Sequence, residues 1–298
     1  MKTSNHLLRR LTAALLAAVL ALSIALPVFA SDDGDTIYIN SVSDLLSLAK
    51  SCAYDQWSVG KTVILQKDLS LEGMLWEPIP SFSGQFKGNG HTISDLTITG
   101  QYSPAGLFGI VEEQGSIESL SVRGVVSVSD SADTTTGGIV GINHGTLISC
   151  QFTGVVTGDS EVGGIVGRNE SEGTIDHSTA RAIVTGKSST GGIAGYNLGA
   201  ITGCTNVGSI NTEYQEASLD TDGFTAKMVD YINNKMAAAD DDATNSVTNV
   251  ATDTGGIAGR SSGMILTSVN TGTVGYEHVG YNVGGIVGRT DGLVSGCV

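Results

Sequence analysis

"TGGIVGINHGTLISC" occupies Thr136–Cys150, "VGGIVGRNESEGTIDHS" occupies Val162–Ser178, and "TGGIAGYNLGAITGC" occupies Thr190–Cys204. All three write one pattern: a Gly pair, an Ile, a polar corner, an apolar residue, then Cys or Ser. The Gly pair recurs at Gly137, Gly163, Gly191, Gly255 and Gly284, and Ala105-Gly106 in "AGLFG" reads as an earlier, looser copy of it. The intervals are 32, 26, 28, 64 and 29 residues. A period near 28 with one long interval is the signature of a solenoid that carries an insertion.

Three apolar columns run down the aligned repeats. The first is Ile139, Ile165, Ile193, Ile257 and Ile286, with Leu107 in the earlier copy. The second is Ile117, Leu147, Ile175, Ile201, Ile265 and Val294, and the third is Val126, Val156, Val184, Ile210 and Val274. Short β-branched runs between glycines read as strands between tight turns, so three columns predict three strands per coil. Stacked coils lie about 4.8 Å apart, which sets each side chain on its counterpart. No coil can bury its apolar columns alone, and that accounts for the repetition. The glycines are expected at sharp corners, often with positive φ.

Two polar columns share this register. Asn143, Asn169 and Asn197, followed by Ser261 and Thr290, predict a hydrogen-bonded corner ladder that tolerates left-handed turns. Cys150, Ser178, Cys204, Ser268 and Cys297 form the other. Its cysteines are never in adjacent coils, and two coils span about 9.6 Å, beyond disulfide reach. They therefore read as small buried fillers, and Cys52 stands outside the column.

The ends differ from the repeats. Lys2, Arg9 and Arg10, then an apolar run Leu11–Leu26 and "VFA" at Val28–Ala30, predict a signal peptide over residues 1–30. Without those three basic residues, 12 Lys+Arg face 30 Asp+Glu. Such an acidic body argues against nucleic acid and anionic membrane surfaces as partners. Residues 31–104 read as an N-terminal cap and opening coils. Within them Ser41–Ala53 carries helix signals, with Ser41 as cap, Asp44 three residues on, and an apolar stripe of Leu45, Leu46, Leu48 and Ala49. That helix is expected to cover the first coil's open edge. Thr62–Leu71 reads as an entering strand, and Gly84–Gly100 as strand, Asn-Gly turn, strand. Residues 105–298 are the repeats, with an insertion at about 212–254. In it Phe224, Met228, Ile232 and Met236 mark one face of a helix. The chain stops in mid-repeat at "DGLVSGCV", as a truncated stack would.

These repeats resemble the GLUG motif, in "AGLFG", "GGIVGINHGTLISC", "GGIVGRNESEGTIDHS", "GGIAGYNLGAITGC", "GGIAGRSSGMILTS" and "GGIVGRTDGLVSGC". The resemblance implies an all-β, right-handed parallel β-helix solenoid on a secreted or surface-displayed bacterial protein. Proteins with this motif include adhesin-like proteins and large surface proteins, some with an IgA-cleaving metallopeptidase domain. The motif holds no catalytic residues, so none is carried over.

The residues offer little chemistry of their own. His6, His91, His144, His177 and His278 fall in no His-Glu-x-x-His pattern. "GSIES" at Gly115–Ser119 is not a Gly-x-Ser-x-Gly elbow, and Gly186-Lys187-Ser188 lacks the first Gly of a phosphate loop, Arg181 standing in its place. Acidic pairs at Asp130/Asp133, Asp159/Glu161, Asp220/Asp222 and Asp240–Asp242 sit on turns or in the insertion. The expectation is no catalytic residue, no metal and no cofactor. One outward row stands apart: Arg168, Tyr196, Arg260 and Arg289 share the column before the Asn corner. Stacked, they form a basic–aromatic stripe suited to an anionic glycan or an acidic partner surface. The reading is a non-catalytic extracellular scaffold for adhesion or ligand display, with a glycan or a host or surface protein as partner. The alternatives are a β-helix polysaccharide lyase or glycoside hydrolase, and the stalk of a larger surface metallopeptidase.

Overall fold

A computed structural model describes residues 35–54, 56–128, 134–212, 252–275 and 281–298. The predicted signal, the insertion helix, Asp130/Asp133, Asp220/Asp222, Asp240–Asp242, His6 and His278 lie outside them.

The described residues form a parallel β-solenoid with one short helix. Four parallel sheets run along its axis. Sheet I has nine strands, from Thr36–Ile39 to Leu293–Ser295. Sheet II has five, from Thr135–Gly137 to Tyr281–Gly284, and sheet III has seven, from Ile79–Phe82 to Val287–Thr290. Sheet IV has nine, opening with Leu69–Ser70 and including Thr92–Gly100 and Gln151–Thr157. The expected three strands per coil are thus four. The extra strand is the three- or four-residue piece that enters the Gly pair, such as Thr135–Gly137, too short to show a period of its own.

The predicted register holds. Leu147 pairs with Ile117 and Ile175, Ile201 with Ile175 and Ile265, and Ile265 with Val294. Val156 pairs with Val126 and Val184, and Ile210 with Val184 and Val274. Ile139 N–H donates to the Ile165 carbonyl, and the same bond repeats from Ile165 to Ile193, Ile193 to Ile257 and Ile257 to Ile286. The first four of these isoleucines are fully buried. The opening copy slips: Ala105 pairs with Thr136, not Gly137, while Phe108 pairs with Val140. "AGLFG" is one residue short at the corner, and Gly106 alone stands where later coils have two glycines.

The glycines serve close approach more than positive φ. None of Gly137, Gly163, Gly191, Gly255 and Gly284 has positive φ. A β-carbon on Gly137 would instead strike the Val140 carbonyl oxygen, and one on Gly138 would enter the Phe152 ring. The third glycine of the motif touches the fourth strand of a neighbouring coil: a β-carbon on Gly167 would lie 2.6 Å from Thr136 N. Left-handed backbone is found instead one residue before the Cys/Ser column, at Ser119, Ser149, His177, Gly203, Thr267 and Gly296.

The Asn ladder forms, without left-handed corners. Asn143 Nδ2 donates to Asn169 Oδ1 at 2.8 Å, Asn169 Nδ2 to Asn197 Oδ1 at 2.8 Å, and Asn197 Nδ2 to Ser261 Oγ at 3.0 Å. All four residues are fully buried. A second ladder went unread in the sequence: Asn206 Nδ2 donates to Asn270 Oδ1 at 2.8 Å.

At the N-terminal end, Val42–Ser51 is helical with Ser41 as N-cap, whose Oγ accepts from Asp44 N–H at 3.2 Å. The Asp44 carboxylate accepts from Asn40 N–H at 2.9 Å, and that bond, followed by the Ser41 side chain, holds its carboxyl below the usual range. The buried face is Leu45, Leu48 and Cys52, and Leu46, expected in the stripe, is 42% exposed. The helix packs beside Ile79–Phe82, the terminal strand of sheet III. Thr62–Leu71 is two strands in two sheets, Thr62–Leu65 and Leu69–Ser70. Asn89 and Gly90 both have positive φ, yet they join strands of sheets I and IV, so this turn is a solenoid corner and not a hairpin.

Two substitutions test this packing by denaturant unfolding. Gly167→Ala is expected to cost about 2–3 kcal/mol, because its β-carbon meets backbone that cannot yield without moving a coil. Asn169→Ala is expected to cost about 2–4 kcal/mol, because it takes from the buried Asn143 amide one of its two acceptors, leaving only the Gly145 carbonyl, and takes from the buried Asn197 carbonyl its ladder donor. Wild-type midpoints in both would contradict the ladder.

Candidate functional site

The outward row forms as a continuous ladder on sheet III. Arg168 pairs in register with Tyr196, Tyr196 with Arg260, and Arg260 with Arg289. The same column continues towards the N-terminal end as Ile142, Ile110 and Ser81. Arg168, Tyr196 and Arg260 directly precede the buried Asn169, Asn197 and Ser261, so the inward ladder fixes the backbone from which they project, whereas Arg289 precedes the exposed Thr290.

The structure brings all four residues together but gives them unequal roles. Arg168 Nη1 meets Glu161 Oε1 at 2.8 Å and its Nε meets Glu170 Oε1 at 2.7 Å. Partial burial opposes the Arg168 charge, and the two carboxylates outweigh that and keep it firmly protonated. Tyr196 is sandwiched: the Arg168 guanidinium lies 5.2 Å from its ring centroid and that of Arg260 5.1 Å. Its hydroxyl shares a 3.2 Å hydrogen bond with Ser262. Ser262 also bonds Asp291, the largest cause holding that carboxyl low, with Arg260 and Arg289 adding to it. Arg289 is exposed and Arg260 half-buried.

The other candidates have structural partners. Asp159 pairs with Lys187 at 2.6 Å, and Glu161 with Arg168, so that acidic pair is neutralised in place. Lys187 is therefore engaged, and a strand, Ser188–Gly191, follows it where a phosphate loop needs a helix. His91 meets Asp68 at 3.1 Å and His177 meets Asp176 at 2.8 Å, both at the surface. Among the described residues no group of three or more His, Cys, Asp or Glu is placed to hold a metal ion. One feature had no sequence signal: a 440 Å³ cavity lined by Gln56, Val59, Ser81, Ser83, Glu112, Glu113 and Gln114. It gathers three segments that lie far apart in the sequence.

The cysteines are free thiols. The alternation with Ser has a use: Cys150 N–H donates to Ser178 Oγ at 3.1 Å, and Cys204 N–H to Ser268 Oγ at 3.2 Å. Each thiol in turn lies against a carbonyl of the neighbouring coil, Cys150 Sγ at 3.4 Å from Ile117 O. Burial pushes Cys150 and Cys204 up to about 12, and Cys52 up to about 11.

The GLUG motif family matches residues 158–185, the span that runs from the end of one sheet IV strand through a full Gly corner to the next. Halomucin of Haloquadratum walsbyi is 31% identical over 155 residues, covering 48% of this chain and 2% of that protein. A "Putative Gly-rich membrane protein" of Evansella cellulosilytica is 30% identical over 137 residues, covering 33% of this chain and 16% of that one. The chain thus spans a small part of either relative. Among solved structures, a "putative immunoglobulin A1 protease" from Bacteroides ovatus superposes with a TM-score of 0.54 at 17% identity, over 88% of this chain and 74% of that one. This likeness is one of fold. Among the described residues no helix is long and apolar enough to cross a membrane.

The thiols supply a test with a defined sign. A thiol whose pKa is raised on folding stabilises the fold fully below its unfolded value near 9, and that contribution is lost as pH climbs towards about 12. Stability is expected to decline from pH 9 upwards, less so in Cys150→Ser/Cys204→Ser. A thiol reagent at pH 8 should spare Cys150 and Cys204 until denaturant is added. Rapid labelling of the native chain at either would contradict their burial.

Proposed function

We propose that this GLUG-motif β-solenoid is a non-catalytic scaffold outside the cytoplasm that displays its outward rows to a ligand, as an adhesin does. The observation that carries the reading is how the repeat spends its polar groups. The Asn ladder, the Ser–Cys column and the pair Asp159–Lys187 are consumed in holding coil to coil, and the pair Glu161–Arg168 braces a single coil across its corner. An acid–base enzyme needs carboxylates converging on one solvent-accessible point, with one of them shifted towards neutrality. Among the side chains that the repeat turns outward is a row at fixed spacing along one sheet, which suits recognition of an extended surface. The name of the Evansella relative, a membrane protein, and the signal-like residues 1–30 support a location outside the cytoplasm.

The test is retention without turnover. The chain, immobilised, is expected to hold a glycan or a surface protein from arrays of each, and the ligand should elute with unchanged mass. Release of a cleaved product would overturn the non-catalytic reading, and an array with no retained ligand would overturn display.

A further inference from the structure

Building on the display reading, we propose that recognition is confined to one end of the ladder. Arg260 and Arg289 take the acidic groups, carboxylate or sulfate, of a linear polysaccharide lying along the solenoid axis.

The geometry removes the other two residues from the contact surface. Arg168 already carries two carboxylates, Glu161 and Glu170, so an incoming anion would have to displace one of them. Tyr196 has a guanidinium against each face of its ring, so no sugar can stack there. These two residues form a backstop: Tyr196 holds the Arg260 guanidinium at 5.1 Å and limits its rotamers. Arg260 and Arg289 are different. Among the described residues, no carboxylate makes an ion pair with either one. Asp291 acts on both from nearby, but its own hydrogen bond goes to Ser262. Two like charges one coil apart, about 4.8 Å between backbones, repel each other. An anion set between them relieves that repulsion, and the guanidinium fork grips carboxylate or sulfate through paired N–H donors.

The shape of the partner follows from the surroundings. The row is straight and runs with the axis, so a ligand with charges recurring along one line meets it group by group. The chain as a whole has a net charge of −15, which repels a broad acidic protein surface or a densely charged polyanion. A thin, intermittently charged chain touches the row and little else.

Calorimetry with the whole chain tests this, using uronate-bearing, sulfate-bearing and neutral oligosaccharides of equal length, and polyphosphate. Binding of an acidic oligosaccharide, with the neutral one and polyphosphate silent, is expected, and whichever acid binds identifies the group. Arg260→Gln/Arg289→Gln should weaken it at least about tenfold. Arg123→Gln/Arg181→Gln removes the same charge from sheet IV and should leave it within about twofold. Glu170→Gln loosens the hold on Arg168 and should strengthen binding. If the first double variant does not fold, the arginine Nε–H resonances of the wild type report directly: those of Arg260 and Arg289 should shift on titration, and that of Arg168 should not. Equal losses in both double variants, or shifts at Arg168 alone, overturn the assignment. Retention of neutral glycans only would also overturn it while leaving the display reading intact.

Discussion

Every coil of this solenoid must accept the next coil's backbone in register, and that one hydrogen-bonded constraint decides which residues each column can hold. A parallel ladder sets a side chain on its counterpart about 4.8 Å away. A column therefore has to be compatible with itself. Isoleucine over isoleucine satisfies this by burial, and asparagine over asparagine by passing one amide hydrogen bond from coil to coil. Where self-pairing has no natural solution, the chain alternates. Cysteine and serine take turns, so that each serine oxygen accepts a neighbouring cysteine N–H.

Most of this was legible in the sequence because a solenoid turns sequence period directly into space. The columns of Ile175, Val184 and Asn169 are correct to the residue, as is the Cys/Ser column that excluded disulfides. The errors share a cause: they concern what lies beside a residue and not above it. The strand Thr135–Gly137 is too short to carry a pattern. The glycines looked like turn residues, yet Gly138 is bare because Phe152 sits on it, a contact across the coil that no repeat interval reveals. The same cross-coil position holds Phe152, Ala180, Asn206 and Asn270 in successive coils. Its second Asn ladder was therefore hidden behind two unlike residues.

The row of Arg168, Tyr196, Arg260 and Arg289 was legible as a row, but its chemistry was not. The sequence places four side chains on one line and says nothing of Glu161, which reaches Arg168 from sheet II. Two carboxylates and a ring caught between guanidinium groups turn half of an apparent binding stripe into a brace. The scaffold thereby fixes where arginines outside any ion pair among the described residues emerge, in the last two coils of the row, with Asp291 acting on both from nearby. The 440 Å³ cavity of the opening coils is walled partly by Gln56 and Val59, which have no counterpart in the later coils. Period carries no information there.

Register itself is open to direct measurement by electron paramagnetic resonance. Thr146 and Thr174 pair in sheet I, and neither side chain is buried. With Cys297 replaced by Ser, as its column already allows, nitroxides on Thr146→Cys and Thr174→Cys should sit one coil apart and show strong spin exchange. Labels on Thr146→Cys and Leu293→Cys, several coils apart on the same sheet, should give the sum of the two single-label spectra. Loss of exchange in the adjacent pair, with the chain folded, would contradict like-on-like stacking and every column derived from it.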